Sequence, residues 1–417
     1  MNVLVTGSLR KVKFPIMKQA TVSRRLHFVP ASPIRKLVPF ALKAKQEGVR
    51  VYHLNIGDPD IPTPDVMIDV LHRWKTNPIG YGQSQGEPVF LNALRSYYHD
   101  IGFRFVETAH IQATSGGSEA ISMAMFAVTN PGDEILTFEP LYTNYNSYAA
   151  INGVKLVAVP TTIETGFHLP PQNEIEKKIT KKTKAILFCN PNNPTGTVYT
   201  KKEVNMLVAL AKKYGIYLLS DEVYREYTYD NRIHVSLFSY MNAIPNQAIV
   251  LDSMSKRYSL CGVRLGALVS LNAELMAGVL CIAQGRLSAG LVDQHIASQL
   301  TRVTNTYFAD VHREYEKRRD ILYEGLKSIS GVTIAKPEGA FYVIVGLPVG
   351  DSEHFCQWLL TDFRDHNETV MLAPAAGFYA TKGMGKNEVR IAYVVNTKAL
   401  KRCIELLTIA LKVYNNK

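Results

Sequence analysis

The chain has 417 residues, of which 47% are apolar and 20% charged, as is typical of a soluble globular protein with two or three domains. No stretch of 18 uncharged apolar residues occurs, which argues against a transmembrane helix. The formal net charge is +11, but six of these charges lie in residues 1–27, which contain no acidic residue. The remainder shows no basic face with aromatic platforms, so we expect neither nucleic acid nor a membrane as a partner.

The basic start of the chain allows three interpretations. Residues 1–27 could be a transit peptide, a disordered arm, or an upstream extension with translation starting at Met17. We favour the last two, because transit-peptide signals are weak, and we expect a disordered arm.

The five cysteines are widely scattered, and no His/Cys cluster has the spacing of metal ligands. This pattern predicts reduced thiols in a cytoplasmic protein and no metal site.

The predicted elements begin with a helix and its connections near Ser32–Gly48. From about residue 110, helical stretches alternate with seven strand-like runs, most of them apolar on both faces as in parallel strands covered by helices. The clearest helix is Lys201–Tyr214, where Thr200 and Glu203 form a capping box and Gly215 follows the end. This alternation predicts a doubly wound α/β sheet. The seven runs are His110–Ser115, Glu134–Glu139, Val154–Pro160, Lys184–Asn190, Ile216–Ser220, Ala248–Ser253 and Gly266–Leu271.

After Ala297 the pattern changes to long amphipathic helices, short strands and a last helix from about Thr397. The short strands include Gly339–Val345 and Glu388–Val394. We predict a small α+β domain made from residues 28–60 and 305–417, with residues 61–304 inserted as a large domain. Ligands of open α/β sheets bind beyond the carboxyl ends of the strands.

Two motifs are suited to a phosphate. Ser253-Met254-Ser255-Lys256 follows a buried strand, and Arg264 comes eight residues after the lysine; serine and arginine side chains both bind phosphate. Thr114–Ala120 contains paired glycines that lead into the helix Ser118–Thr129, whose N-terminus favours an anion. The alternative interpretations are a solvated lysine and an ordinary tight turn.

Two further motifs end neighbouring strands. Asn190–Gly196 holds two prolines and a glycine and presents Asn193 in a constrained loop. Asp221 and Tyr224 follow the next strand. Asp221 could be a metal ligand, a base, a partner for a pyridinium nitrogen, or simply a helix N-cap.

In this order, the motifs resemble those of class I/II pyridoxal-phosphate aminotransferases of fold type I. The resemblance spans roughly Ser32 to the C-terminus. Each motif alone is weak to moderate, but the ordered set is highly specific. It implies an α/β fold with a seven-stranded, mostly parallel sheet, and an enzyme that moves an amino group from an L-amino acid to a 2-oxo acid in a ping-pong cycle. It also includes Asn55–Asp60, Tyr81 with Gly82 and Gly86, Glu139–Tyr142, and Val389–Ile391.

The resemblance assigns cofactor-binding roles to individual residues. Lys256 corresponds to the Schiff-base lysine and general acid/base, and Asp221 to the acid that keeps the pyridine nitrogen protonated. Tyr224 and Asn193 correspond to the two donors to the ring oxygen. Tyr142 takes the ring-stacking position. The residues implied for the phosphate are Gly117, Ser118, Ser253, Ser255 and Arg264, with Tyr81 reaching over from the neighbouring subunit of a homodimer.

For the substrate, the resemblance implies that Arg390 binds the α-carboxylate as a fork, aided by Gly57 and Asn193. The segments Ser32–Leu37 and Phe355–Leu359 are similar to a bacterial aspartate-aminotransferase-like subgroup.

An acidic substrate requires a second cation for its distal carboxylate. One branch of the subgroup has a lysine where this chain has Ser118, so that device is absent. Arg286, acting from the partner subunit, and Arg35 are the two candidates, although either could be a structural ion pair. Aspartate with 2-oxoglutarate is the leading substrate pair, with aromatic or small neutral amino acids as alternatives.

Two competing functions remain. A carbon–sulfur lyase on the same scaffold would keep Lys256, Asp221 and Arg390. A non-catalytic sensor would need an added DNA-binding module, for which the residues before Phe28 are too few.

Overall fold

The computed structural model describes residues 20–416. These residues form a seven-stranded sheet, a four-stranded sheet, a two-stranded sheet and thirteen α-helices. None of the helices in this range is both long and apolar enough to cross a membrane. The helices are α1 (Val38–Gln46), α2 (Asp65–His72), α3 (Pro88–Asp100), α4 (Gly117–Val128), α5 (Asn144–Asn152), α6 (Gln172–Glu176), α7 (Lys201–Tyr214), α8 (Met254–Arg257), α9 (Ala273–Arg286), α10 (Leu291–Ala297), α11 (Asn305–Lys327), α12 (Ser352–Thr361) and α13 (Thr397–Asn415). The strands are β1 (Arg50–His53), β2 (Ile111–Thr114), β3 (Glu134–Glu139), β4 (Lys155–Pro160), β5 (Thr183–Cys189), β6 (Tyr217–Asp221), β7 (Ala248–Ser253), β8 (Gly266–Val269), β9 (Thr333–Ile334), β10 (Tyr342–Gly346), β11 (Glu368–Met371), β12 (Ala373–Pro374) and β13 (Glu388–Ala392).

The large sheet has seven strands in the order β2-β8-β7-β6-β5-β3-β4. All neighbours pair in parallel except β8, which is antiparallel to both β2 and β7. This confirms the predicted α/β fold with a mostly parallel sheet. Strands β3 and β7 are buried along their whole length, because hydrophobic cores cover both faces of the sheet.

Helix α7 has the predicted bounds and caps. The Thr200 hydroxyl accepts from the Glu203 amide at 3.3 Å, and the Glu203 carboxylate accepts from the Thr200 amide at 2.7 Å. Gly215 ends the helix with a positive φ of 63°. Local sequence therefore fixes both ends of this helix.

The smaller sheet system combines both ends of the chain. Strand β1 pairs in parallel with β11, with Arg50 opposite Glu368, and a four-stranded antiparallel sheet has the order β12-β13-β10-β9. One core joins residues 37–54 to residues 311–411. The same core also includes Cys189, Tyr224, Tyr227 and Tyr229. The domain boundaries at residues 28–60, 61–304 and 305–417 remain a prediction.

The N-terminal arm differs in part from the expectation of disorder. Residues 1–19 and the proposed start at Met17 lie outside the described residues. Arg24–Phe28 forms a 3-10 helix, and the Arg25 guanidinium donates to the carbonyl of Ile151 in the last turn of α5. The helix dipole favours a cation at the C-terminal end of a helix. The number of charges in residues 1–27 does not predict this contact of Arg25.

A charged cluster joins the loop before β10 to helix α7 and to the segments around His168 and Val198. The His168 ring lies 3.0 Å from Glu203 in α7 and 3.4 Å from Glu338. Glu338 also accepts from the Val198 amide at 3.1 Å. Hydrogen bonds to the two carboxylates raise the pKa of His168 to about 9.

We expect His168→Gln to destabilise the protein at pH 6 by about 2 kcal/mol, and by much less at pH 10. The folded-state pKa is raised, so the stabilisation is fully present below pH 6.5 and is lost as the pH rises through about 9. Melting temperatures of both proteins across this range test the prediction. A difference that does not depend on pH would contradict it.

Candidate active site

A cavity of ≈ 570 Å³ lies at the carboxyl ends of the parallel strands of the large sheet. Strand β6 ends at Asp221, β7 at Ser253, and the loop after β5 carries Asn193. The small sheet contributes Arg390 from β13. Thirteen of the fifteen residues predicted for the site line this cavity: Arg35, Gly57, Gly117, Ser118, Tyr142, Asn193, Asp221, Tyr224, Ser253, Ser255, Lys256, Arg264 and Arg390.

One end of the cavity is built for an anion. The N-terminus of α4 lies next to the Ser253 and Ser255 hydroxyls, which are 3.0 Å apart, and the Arg264 guanidinium lies 3.5 Å from Ser255. A Cβ on Gly266 would lie 2.8 Å from the Gly117 nitrogen, so this glycine allows the amides of α4 to lie against β8. Helix dipole, hydroxyls and guanidinium together suit a phosphate.

Lys256 lies in the short helix α8 after β7. Its Nζ donates to the carbonyl of Gly57 at 2.7 Å and lies 3.4 Å from the Sγ of Cys261. The Lys256 side chain therefore connects helix α8 to the segment after β1 that contains Gly57.

Asp221 is buried and accepts a hydrogen bond from the Tyr145 hydroxyl at 2.6 Å. The Val223 amide lies 3.4 Å from its other oxygen. Burial raises the pKa of Asp221 to about 6, although both hydrogen bonds act in the opposite direction.

Arg390 is only 3% exposed. Its guanidinium donates to the Asn193 side chain at 3.2 Å and to the Asn55 carbonyl at 2.6 Å, while Nε has no partner. The aromatic rings of Tyr342 and Phe378 lie 4.5 and 5.0 Å from the guanidinium carbon. Burial lowers the pKa of this arginine.

Within the part of the chain that the structure describes, Asp221, Lys256 and Arg390 lack charged partners. Among residues 20–416, no acid lies within ion-pair distance of Lys256 or Arg390, and no base lies within that distance of Asp221. Buried charges are normally paired, because desolvation is costly. The donor set therefore fits a ligand that carries a protonated ring nitrogen, a phosphate and an aldehyde, as pyridoxal phosphate does, together with a carboxylate.

The charges directly behind the cavity are fully paired. Arg225 lies 3.1 Å from both Glu222 and Asp252, and Arg257 lies 2.8 Å from Asp252 and 2.6 Å from Glu226. This group, here called the buried ion network, links the loop after β6 to strand β7 and helix α8.

Two predicted residues lie away from the cavity. Tyr81 is 86% exposed, and its assigned role requires a second subunit. Arg286 lies 3.3 Å from Glu119 and donates to the carbonyl of Ala113 at 3.2 Å. Within its own chain Arg286 thus forms the structural ion pair that was the alternative to a substrate contact.

Several contacts in the site leave no signal in the sequence. Tyr145 contacts Asp221, and Cys261 contacts Lys256. The hydroxyl oxygens of Tyr342 and Tyr224 lie 3.2 Å apart. No sequence signal separates these tyrosines from the other core aromatics. The described residues contain no group of three or more His, Cys, Asp or Glu side chains placed to hold a metal ion.

We expect Asp221→Asn to raise the melting temperature of the cofactor-free protein at pH 8. A buried carboxyl with a raised pKa destabilises the fold once the pH exceeds its ordinary value of 3.8, and the cost is complete above about pH 6. The gain is up to about 3 kcal/mol and should vanish near pH 4. Tyr145→Phe is the control, since it removes the hydrogen bond but keeps the charge. Equal or lower stability of the asparagine variant at pH 8 would refute the argument.

Comparison with known proteins agrees with this geometry. Residues 49–407 match the family described as aminotransferase class I and II. The chain is 28% identical to an aspartate aminotransferase of Pyrococcus horikoshii over 94% of this chain and 97% of that protein. It is similar to the structure of aspartate aminotransferase from Thermus thermophilus with maleate, with a TM-score of 0.85, 26% identity, and coverage of 94% of this chain and 100% of that one. An alanine aminotransferase of Pyrococcus furiosus has a TM-score of 0.83, 28% identity and the same coverage. The chain therefore belongs to the class I and II aminotransferases, which use pyridoxal phosphate to transfer amino groups.

Proposed function

We propose that this enzyme exchanges the amino group of aspartate with 2-oxoglutarate. The observation that carries the proposal is that Asp221, Lys256 and Arg390 line one cavity without a counter-charge among residues 20–416. The names of the relatives in Pyrococcus horikoshii and Thermus thermophilus support aspartate as the donor.

The cofactor would be held at four places. Gly117, Ser118, Ser253, Ser255 and Arg264 would bind its phosphate, and Asp221 would keep the proton on its ring nitrogen. Tyr224 and Asn193 would donate to its ring oxygen, and Tyr142 would lie against the ring. When bound, pyridoxal phosphate supplies an electron sink for the bonds at the substrate Cα.

The substrate contacts follow from the remaining groups. Arg390 offers a rigid fork to the α-carboxylate, and its buried position makes that contact strong. Lys256 would act as the base that takes the proton from the substrate Cα. The Asn193 side chain, 3.2 Å from Arg390, keeps the fork directed at the cavity.

Arg35 is our candidate for the distal carboxylate. It lines the cavity, is exposed, and has no acid within ion-pair distance among the described residues. Arg286 is already paired with Glu119, and Ser118 supplies no charge. The alternative, a small neutral substrate, draws support from the similarity to the alanine aminotransferase.

We also propose a homodimer in the cytoplasm. Tyr81 and the neighbouring Ile79 are 86% and 60% exposed, as expected of a surface that a second subunit covers. Tyr81 would then reach the phosphate of the partner's cofactor. The cysteines within the described residues are all free, which suits a reducing compartment.

Lys256→Ala should lower turnover by at least about 10³-fold while the protein still binds pyridoxal phosphate, because the phosphate contacts remain. Single-turnover assays and a cofactor-binding titration measure the two effects. Lys401→Ala, on an exposed position of α13, is the matched control. Undiminished transamination in the Lys256 variant would refute the catalytic assignment.

A panel of amino donors with 2-oxoglutarate tests the substrate class. We expect aspartate to have the highest kcat/KM, and Arg35→Gln to lower this value by about tenfold while alanine turnover changes little, since only one charged contact is lost. Arg286→Gln is the comparison variant. A selective loss in Arg286→Gln would move the distal site to that residue, and a preference for alanine in the unchanged enzyme would overturn the aspartate proposal.

A further inference from the structure

Tyr342 is a cavity residue to which neither the family motifs nor the sequence pattern assigns a role. It begins β10, is 3% exposed, and pairs across the sheet with Ala392 of β13. Arg390 lies two residues from Ala392 and therefore on the same face. The register thus places an aromatic ring beside the buried arginine.

The hydroxyl of Tyr342 contacts Tyr224, the donor proposed for the cofactor ring oxygen. The two hydroxyl oxygens are 3.2 Å apart. The side-chain amide nitrogen of Asn193 lies 3.5 Å from the hydroxyl oxygen of Tyr224. A hydroxyl has one proton to donate and can accept two others. In the structure the Tyr224 hydroxyl donates to Tyr342. Once the cofactor ring oxygen accepts the proton of Tyr224, the Tyr342 hydroxyl would in turn donate to the Tyr224 oxygen.

Gly57 fixes the place of this hydroxyl. A Cβ on residue 57 would lie 1.9 Å from the Tyr342 oxygen, so the hydroxyl occupies the volume that a side chain would take. The carbonyl of Gly57 accepts from Lys256 at 2.7 Å. Tyr342 is therefore packed against the backbone that also holds the catalytic amine.

The ring of Tyr342 is one of two aromatic walls around Arg390. The guanidinium carbon lies 4.5 Å from the Tyr342 ring and 5.0 Å from the Phe378 ring. A cation between aromatic faces gains most where water is excluded, and Arg390 has no carboxylate partner within residues 20–416. The Tyr342 ring thus stabilises the position of the Arg390 guanidinium when no substrate is bound.

We propose that Tyr342 is a positioning residue with two separable parts: its hydroxyl directs the proton of Tyr224 toward the cofactor ring oxygen, and its ring orients Arg390 for the substrate carboxylate. This inference rests on the proposed cofactor and substrate roles of Tyr224 and Arg390. A purely structural role would not separate the two effects.

The test follows the absorbance of the bound cofactor against pH. The titratable and charged groups around Tyr224 are Tyr342, Cys189, Tyr142, Asp221, Lys256 and Arg390, and Tyr342→Phe removes only one of them. A weaker donor at the cofactor ring oxygen stabilises the negative charge on that oxygen less. The Lys256 nitrogen bound to the cofactor then holds its proton more tightly. We expect the pH midpoint of the absorbance change to rise by about 0.3–1 unit, the equivalent of one modest hydrogen bond.

The second readout is binding of maleate, an unreactive dicarboxylate, measured by titration of the same absorbance. Tyr342→Phe keeps the ring and should change the maleate Kd less than about twofold. Tyr342→Leu should weaken maleate binding by on the order of tenfold and also raise the pH midpoint. Phe378→Leu is the matched control, expected to weaken maleate binding without moving the midpoint. Melting temperatures establish that each variant is folded.

An unchanged midpoint in a folded Tyr342→Phe protein would overturn the role of the hydroxyl, and an unchanged maleate Kd in Tyr342→Leu would overturn that of the ring. These failures differ from failure of the proposed function. In that case the unsubstituted protein itself would show no pH-dependent cofactor absorbance or would not bind maleate.

Discussion

The buried ion network around Asp252 sets the geometry on which the active site depends. Asp252 lies near the end of β7 and is paired with Arg225 and Arg257, and all three are at most 7% exposed. Tyr224 directly precedes Arg225, and Lys256 directly precedes Arg257. Buried pairs of this kind add little net stability compared with apolar packing, but removal of one partner costs about 3–5 kcal/mol. The network therefore acts mainly as a constraint on where the functional side chains stand.

The buried ion network and the cavity differ in their charge pairing. This difference explains how the fold tolerates unpaired buried charges at the cavity. In the buried ion network, Glu222, Arg225, Asp252 and Arg257 each have a counter-charge, whereas Asp221 and Arg390 at the cavity have none among the residues described. The paired charges and the two cores that cover the sheet supply the rigidity. The unpaired charges are then kept a fixed distance apart, ready for a ligand of complementary charge.

Much of this organisation could be predicted where the signal was local. The capping box of Thr200 and Glu203, the seven apolar strands and the motifs at their ends depend on short-range patterns, and the structure brings these motifs to one edge. Contacts between distant segments gave no such signal. Tyr342 meets Tyr224 only because β10 packs across the sheet edge, and Arg286 meets Glu119 because α9 lies beside α4. Spacing cannot reveal these partners, since each residue type has an ordinary structural use.

The pairing of β1 with β11 has a consequence for synthesis of the chain. Residue 50 finds its partner only when residue 368 has left the ribosome, and the core of the small domain also requires α13. At translation rates of roughly 5–20 residues per second, the first apolar segment waits on the order of 15–60 seconds without its final neighbours. The central sheet, by contrast, is complete once β8 has emerged. Folding during translation should therefore start in the middle of the chain and close at its two ends.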